Sequence, residues 1–148
     1  MSKKLKVLVV DDELRMVKTI CDILLFKGYE ALPAYSGEEA VQMVKGNDFD
    51  CVLMDIKMPG IDGVKALKMI KGASPDTPVV LMSANATAEQ VAEAKLHGAA
   101  AVLGKPIDFQ PIFSFFSLLG KEEIVLIEDI SRSKSNALQG EPFNCEVV

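Results

Sequence analysis

Lys6-Val7-Leu8-Val9-Val10-Asp11-Asp12 decides how this chain folds: a short, β-branched apolar run that ends abruptly in two acids. The same design recurs at Cys51-Val52-Leu53-Met54-Asp55 and at Pro78-Val79-Val80-Leu81-Met82-Ser83. Runs this short, apolar throughout, suit strands buried on both faces of a parallel sheet. Segments of helical period lie between them. Asp12-Glu13 open a helix whose Val17, Ile20, Cys21, Leu24 and Leu25 share one face, with Arg15, Lys18 and Asp22 outside and Gly28 closing it. Ser36-Gly37-Glu38-Glu39 reads as a capping box for a helix that buries Ala40, Val41 and Val44 and stops at Gly46. A third helix runs from Gly63 through Val64, Leu67 and Ile70 to Gly72, and a fourth from Thr87-Ala88-Glu89-Gln90 to Gly98. Ala99 to Leu103 supplies a fifth strand, and a fifth helix starts near Asp108 with Pro111 in its first turn.

Five β-α units through Gly120 predict an α/β fold: a parallel five-stranded sheet with helices on both faces, joined by right-handed crossovers. The flavodoxin-like (βα)5 three-layer sandwich, strand order 2-1-3-4-5, is the leading choice. Its ligands bind outside the carboxyl ends of the strands, at the switch between strands 1 and 3. Asp11, Asp12 and Asp55 stand at those ends.

The rest of the composition narrows the class. The chain has 148 residues, 49% hydrophobic and 25% charged, with 16 Lys+Arg against 21 Asp+Glu and a net charge of -5. An acidic surface gives no general attraction to nucleic acid or anionic lipid. No apolar run approaches the ~20 residues that cross a bilayer, and the basic start lacks the long apolar region of a signal peptide, so a cytoplasmic protein is expected. Cys21, Cys51 and Cys145 are too scattered for a zinc site or a disulfide framework. Met43, Met54, Met58, Met69 and Met82 read mostly as core filling. The single histidine, His97, precedes Gly98 at a helix end, where capping explains it better than catalysis.

Three carboxylates converging on one sheet edge repel one another unless protonated, solvated or neutralised by a cation. Mg²⁺, which takes oxygen ligands, one or two carboxylates and a phosphate, suits the set. Taken alone, the Asp11-Asp12 pair is better explained as a cap on the first helix, and Lys105 as a solvated loop charge. Strand 4, however, ends in the hydroxyl of Ser83, and strand 5 is followed by Lys105-Pro106. Carboxylates, hydroxyl and lysine at the ends of four strands are the equipment for forming an aspartyl phosphate, with Asp55 as nucleophile.

Val9-Val10-Asp11-Asp12-Glu13, Met54-Asp55-Ile56-Lys57-Met58-Pro59-Gly60-Ile61-Asp62-Gly63, Met82-Ser83-Ala84 and Gly104-Lys105-Pro106 together resemble the CheY-like receiver domain of bacterial two-component response regulators, over about residues 4 to 120. The resemblance implies that Asp55 accepts a phosphoryl group from a sensor histidine kinase, a phosphotransfer protein or a small donor such as acetyl phosphate. It implies that Asp12, Asp55 and the backbone carbonyl of Lys57 hold Mg²⁺, Asp11 acting through water. Lys105 would pair with the phosphoryl oxygens, across a Lys105-Pro106 bond usually cis in this family. Ser83 would turn toward the new group, with small Ala84 leaving room, and Lys57 and Asn85 stand where receivers tune phosphate lifetime. Val102 departs from the pattern, standing where a Tyr or Phe usually rotates inward. The signal is then expected to travel through backbone shifts of the loop and the fourth helix. The only chemistry expected is the protein's own phosphorylation and dephosphorylation, with no other substrate turned over.

Phe109, Ile112, Phe113, Phe116 and Leu119 make one face of the fifth helix, while Phe115 and Leu118 fall outside it. The excess is either covered by the tail or serves as a contact surface. By the resemblance, such contacts include homodimerisation, or an unnamed downstream protein, through the fourth helix, fifth strand and fifth helix. Residues 121–148 carry three basic and six acidic side chains and are expected to form an extension, ordered to about residue 130 and then flexible, too short for an output domain. Other readings remain open. A phosphohydrolase of the haloacid-dehalogenase type would want a general acid where Lys57 stands, and a flavin site would not place Asp11-Asp12 against phosphate. A receiver-like binding module that works without phosphorylation draws its support from Val102.

Overall fold

The computed structural model describes residues 4–120. Strands β1 (Lys6–Val10), β2 (Glu30–Ala34), β3 (Cys51–Asp55), β4 (Val79–Ser83) and β5 (Ala101–Gly104) alternate with helices α1 (Leu14–Phe26), α2 (Gly37–Gly46), α3 (Gly63–Ala73), α4 (Ala88–Leu96) and α5 (Phe109–Gly120). All strand pairs are parallel and the order is β2-β1-β3-β4-β5. This is the flavodoxin-like order. The predominantly apolar strands at the centre explain it: every residue of β3 and β4 is buried, which only a sheet covered on both faces allows.

Alternation along each strand divides the core in two. Leu8, Val10, Val52, Met54 and Leu81 face α2, α3 and α4, joining Val41, Val44, Leu67, Ile70 and Ala94. Val7, Val9, Leu53, Val80 and Met82 face α1 and α5, joining Val17, Ile20, Leu24, Ile112 and Phe116. The helix layers differ in grip. α3 buries Gly63, Val64, Ala66, Leu67 and Ile70, whereas α4 buries only Ala94.

Several local expectations are corrected. Leu25 is 53% exposed rather than buried, because it sits on the flank of the apolar arc in the last turn of α1, where nothing covers it. Phe115 is half-buried against the α1–α5 core, tilted beside Phe116, rather than outside it. Met69 is 44% exposed on α3. The Ser36 hydroxyl does accept from Glu39 N–H, but the Glu39 carboxylate reaches back to Tyr35 N–H (2.8 Å), one residue earlier than a capping box requires. β5 begins at Ala101 rather than Ala99, because the Ala99 N–H is spent on the Ala94 carbonyl at the end of α4. At α4 itself Thr87 and Gln90 form the full reciprocal box.

His97 is the C-cap residue of α4. Cys21 and Cys51 are buried free thiols, and burial pushes both pKa values up, so neither is poised to react. Among the described residues no helix is long and apolar enough to cross a membrane. The extension expected over residues 121–148, with its order to about 130, lies outside the described residues, as does Cys145.

Candidate functional site

β1 and β3 are neighbours in the sheet, Val10 pairing with Met54, so the residues that follow emerge side by side. Asp11, Asp12 and Asp55 each offer a carboxylate oxygen within 4.8 Å of the others. Asp11 and Asp55 are buried, whereas Asp12 is exposed. The Asp11 carboxylate is held from two sides: Glu13 N–H donates to Oδ1 (3.0 Å) and Lys105 Nζ donates to Oδ2 (3.1 Å). The Glu13 bond closes the turn before α1, whose first-turn N–H groups receive no side-chain cap. Among the described residues no hydrogen bond or ion pair holds Asp12, so it does not cap α1 and its oxygens remain available.

Lys105 arrives from the end of β5. Its backbone N–H donates to the Ser83 carbonyl (2.9 Å), its peptide bond to Pro106 is cis, and its Nζ lies 3.3 Å from Asp55 Oδ1 as well as against Asp11. Ser83 is buried at the end of β4, and its hydroxyl oxygen accepts from Asn85 N–H (3.1 Å). The side chains of Ala84, Asn85 and Lys57 are exposed around the site. Lys57 lies in the loop 56–62, anchored where Ile56 N–H donates to the Met82 carbonyl (2.9 Å) and Met58 is buried. The structure therefore brings Asp11, Asp12, Asp55 and Lys105 together at one strand end, with Ser83 on the adjoining strand.

Three carboxylates against one ammonium leave net negative charge in a half-closed, oxygen-lined site. That donor set fits a hard divalent cation and offers no soft ligand.

The chain matches the response regulator receiver domain model over residues 7–116. It belongs to the response regulator receiver domain family. This receiver is 39% identical to the transcriptional regulatory protein ZraR of Salmonella typhimurium over 106 residues, which is 72% of this chain but only 24% of that relative. It is 32% identical to the sporulation initiation phosphotransferase F of Bacillus subtilis, the match covering 72% of this chain and 86% of the other. Among solved structures, that of the CheX-CheY-BeF3-Mg²⁺ complex from Borrelia burgdorferi is 30% identical with a TM-score of 0.72, covering 79% of this chain and 90% of that one. Residues 7–116 thus form a receiver domain of two-component signalling, and receiver domains are signalling modules rather than classical enzymes. Receivers bind Mg²⁺ at an acidic pocket and interact with histidine kinases and phosphotransfer proteins.

Two features of this receiver bear on how it would respond. Val102, 1% exposed, packs into the core on the side of the sheet covered by α2, α3 and α4. The carboxyl of Asp55 is pushed up to about 6, first by burial and then by the charges of Asp11 and Asp12, against the pull of Lys105. The same ion pairs raise Lys105 despite its partial burial, so the ammonium stays charged. A metal that needs Asp55 ionised competes with its proton. Calorimetric titration with Mg²⁺ should show binding roughly tenfold weaker at pH 5 than at pH 7, and binding independent of pH across that range would contradict this assignment.

The sequence missed the neighbours that fix the loop 56–62. Gly63 opens α3 so close to β3 that an added Cβ would collide with the Asp55 carbonyl, and Gly37 opens α2 against Ile61. The signal was there: glycine is a poor helix former, yet it occupies the first position of both helices.

Proposed function

We propose that this receiver accepts a phosphoryl group on Asp55 and changes its protein contacts as a result. The observation that carries the proposal is the ion-paired cluster itself, with Lys105 Nζ held between the Asp11 and Asp55 carboxylates at the mouth of the central strand. Asp12, Asp55 and the Lys57 backbone carbonyl would hold Mg²⁺, with Asp11 acting through water. The bound cation supplies charge neutralisation for the carboxylates and the incoming phosphoryl oxygens.

The residues divide the remaining work. An oxygen of ionised Asp55 attacks phosphorus, forming the O–P bond of an acyl phosphate. The bond to the donor breaks, P–N for a phosphohistidine or P–O for acetyl phosphate, and the leaving group carries away its electron pair. Lys105, already charged, can exchange its carboxylate partners for a phosphoryl oxygen without a change of protonation. Ser83 can give up the Asn85 N–H and turn its hydroxyl to the new group, which would draw the loop after β4 and then α4 with it. With Val102 in place of a ring, α4, docked through a single buried alanine, is the element free to respond.

The donor, a sensor histidine kinase or phosphotransfer protein, and the downstream protein are proposals on the same footing, as are the receiver unit at 4–120, its extension at 121–148 and cytoplasmic action. So is pairing with a second copy through α4, β5 and α5, where Leu96 and Leu118 are exposed at 80% and 45%. Incubation with acetyl phosphate and Mg²⁺, read by intact mass, should give a phosphoryl adduct that EDTA prevents. A folded, Mg²⁺-binding protein that takes no phosphoryl group from acetyl phosphate or a phosphorylated kinase would instead be a constitutive binding module.

A further inference from the structure

The loop 56–62 is anchored by its buried Ile56 and Met58 and is stopped on the flank that faces α2. At its base Gly63 N–H donates to the Ile56 carbonyl (2.7 Å). Its outer flank rests on the first turn of α2. A Cβ added to Gly37 would stand 2.7 Å from Ile61 Cγ1 and 3.1 Å from both Ile61 Cδ1 and the Ile61 carbonyl oxygen. Beside it Gly60, at φ +82°, faces the Glu38 carboxylate so closely that a Cβ would lie 2.7 Å from Oε2. The opposite flank opens on a cavity of about 400 Å³ lined by Ile56, Lys57, Met58, Pro59, Asp62 and Gln90. The loop is therefore stopped toward α2 and has room toward α4.

Gly37 is not at a positive φ, and it occupies the first position of a helix, where alanine is the better residue. Backbone conformation does not explain it. What glycine supplies is the missing Cβ, which lets Ile61 seat against α2.

We propose that Gly37 and Ile61 are positioning residues for the metal-binding loop, setting how deeply the Lys57 carbonyl reaches toward the acidic cluster. The proposal rests on the assignment of that carbonyl as a Mg²⁺ ligand. A Cβ at position 37 pushes Ile61, and with it the loop, into the open cavity, so the cost falls on metal binding more than on folding. Supporting residues of this kind typically change metal affinity by about ten- to a hundredfold.

The test is a double-mutant cycle on the full chain, reading Mg²⁺ affinity by calorimetry and the thermal midpoint in EDTA. Gly37→Ala is expected to weaken Mg²⁺ binding roughly tenfold with little loss of metal-free midpoint. Adding Ile61→Ala, which removes both Cγ1 and Cδ1, should recover most of that loss, although Ile61→Ala alone gains nothing. Gly46→Ala, in open space at the far end of α2, should leave affinity unchanged. If Gly37→Ala lowers the midpoint so far that binding cannot be read, amide exchange of residues 57–61 in the double mutant decides, matching wild type if the seat is restored. Wild-type binding with an unchanged Gly37→Ala, or a double mutant no tighter than Gly37→Ala, overturns the positioning role alone. A wild type that binds no Mg²⁺ overturns it together with the metal site.

Discussion

Asp55→Asn is expected to abolish phosphoryl uptake and, in the absence of metal at pH 7, to stabilise the protein by on the order of 2 kcal/mol. Both effects have one cause. The Asp55 carboxyl is buried and faces Asp11 and Asp12, which raises it from 3.8 to about 6 in the native state. The folded protein therefore holds a proton that the unfolded chain gives up above about pH 4. Stability that is complete below that value is lost as pH rises through 6, so at pH 7 ionised Asp55 works against the fold. Asparagine keeps the shape without the charge and cannot attack phosphorus. Urea unfolding in EDTA between pH 4.5 and 7.5 should show wild type losing stability relative to the variant as pH rises. Parallel curves for the two proteins would contradict the account.

Gly63→Ala is expected to cost about 3 kcal/mol, at the upper end of what overpacking does in a close-packed interior. The new Cβ meets the Asp55 carbonyl, the Ile56 Cα at 2.7 Å and the Asp55 carbonyl carbon at 3.1 Å, all backbone atoms at the end of β3 and in the residue that follows it. No side chain can rotate to relieve it, so α3 must move outward as a body, carrying Leu67 and Ile70 from the core. Gly72, on the same helix, is the natural control: nothing lies within 4 Å of its Cβ position. Gly72→Ala should be neutral to stabilising, by up to about 1 kcal/mol, from helix propensity and the smaller entropy of the unfolded chain. Equal effects at 63 and 72 would mean that propensity, not contact, governs α3.

The strands were legible because β1 after Lys6, β3 and β4 are apolar without alternation and either close in a polar residue or are followed at once by one, a pattern that both places a buried parallel sheet and marks its carboxyl edge. Five β-α units pointed to a doubly wound sheet, for which 2-1-3-4-5 was the leading order and is the one observed. Asp11, Asp12, Asp55, Ser83 and Lys105 were legible for the same reason, as polar residues at strand ends. Leu25 was not, since its place at the margin of a helical face says nothing about whether a neighbour covers that margin. The Glu39 bond to Tyr35 N–H turned on where a flexible side chain settles. The seat of Ile61 on Gly37 joins distant parts of the chain through one missing Cβ, and a glycine at the start of a helix signals a close approach without naming its partner.

The most direct test of the central claim is to trap the phosphoprotein with borohydride, which reduces an aspartyl phosphate to homoserine, and to map the converted residue by tandem mass spectrometry. After treatment with acetyl phosphate and Mg²⁺, homoserine should appear at position 55 and nowhere else, and EDTA should prevent it. Conversion at Asp11 or Asp12, or phosphoryl uptake that leaves position 55 untouched, would contradict the assignment of Asp55 as acceptor.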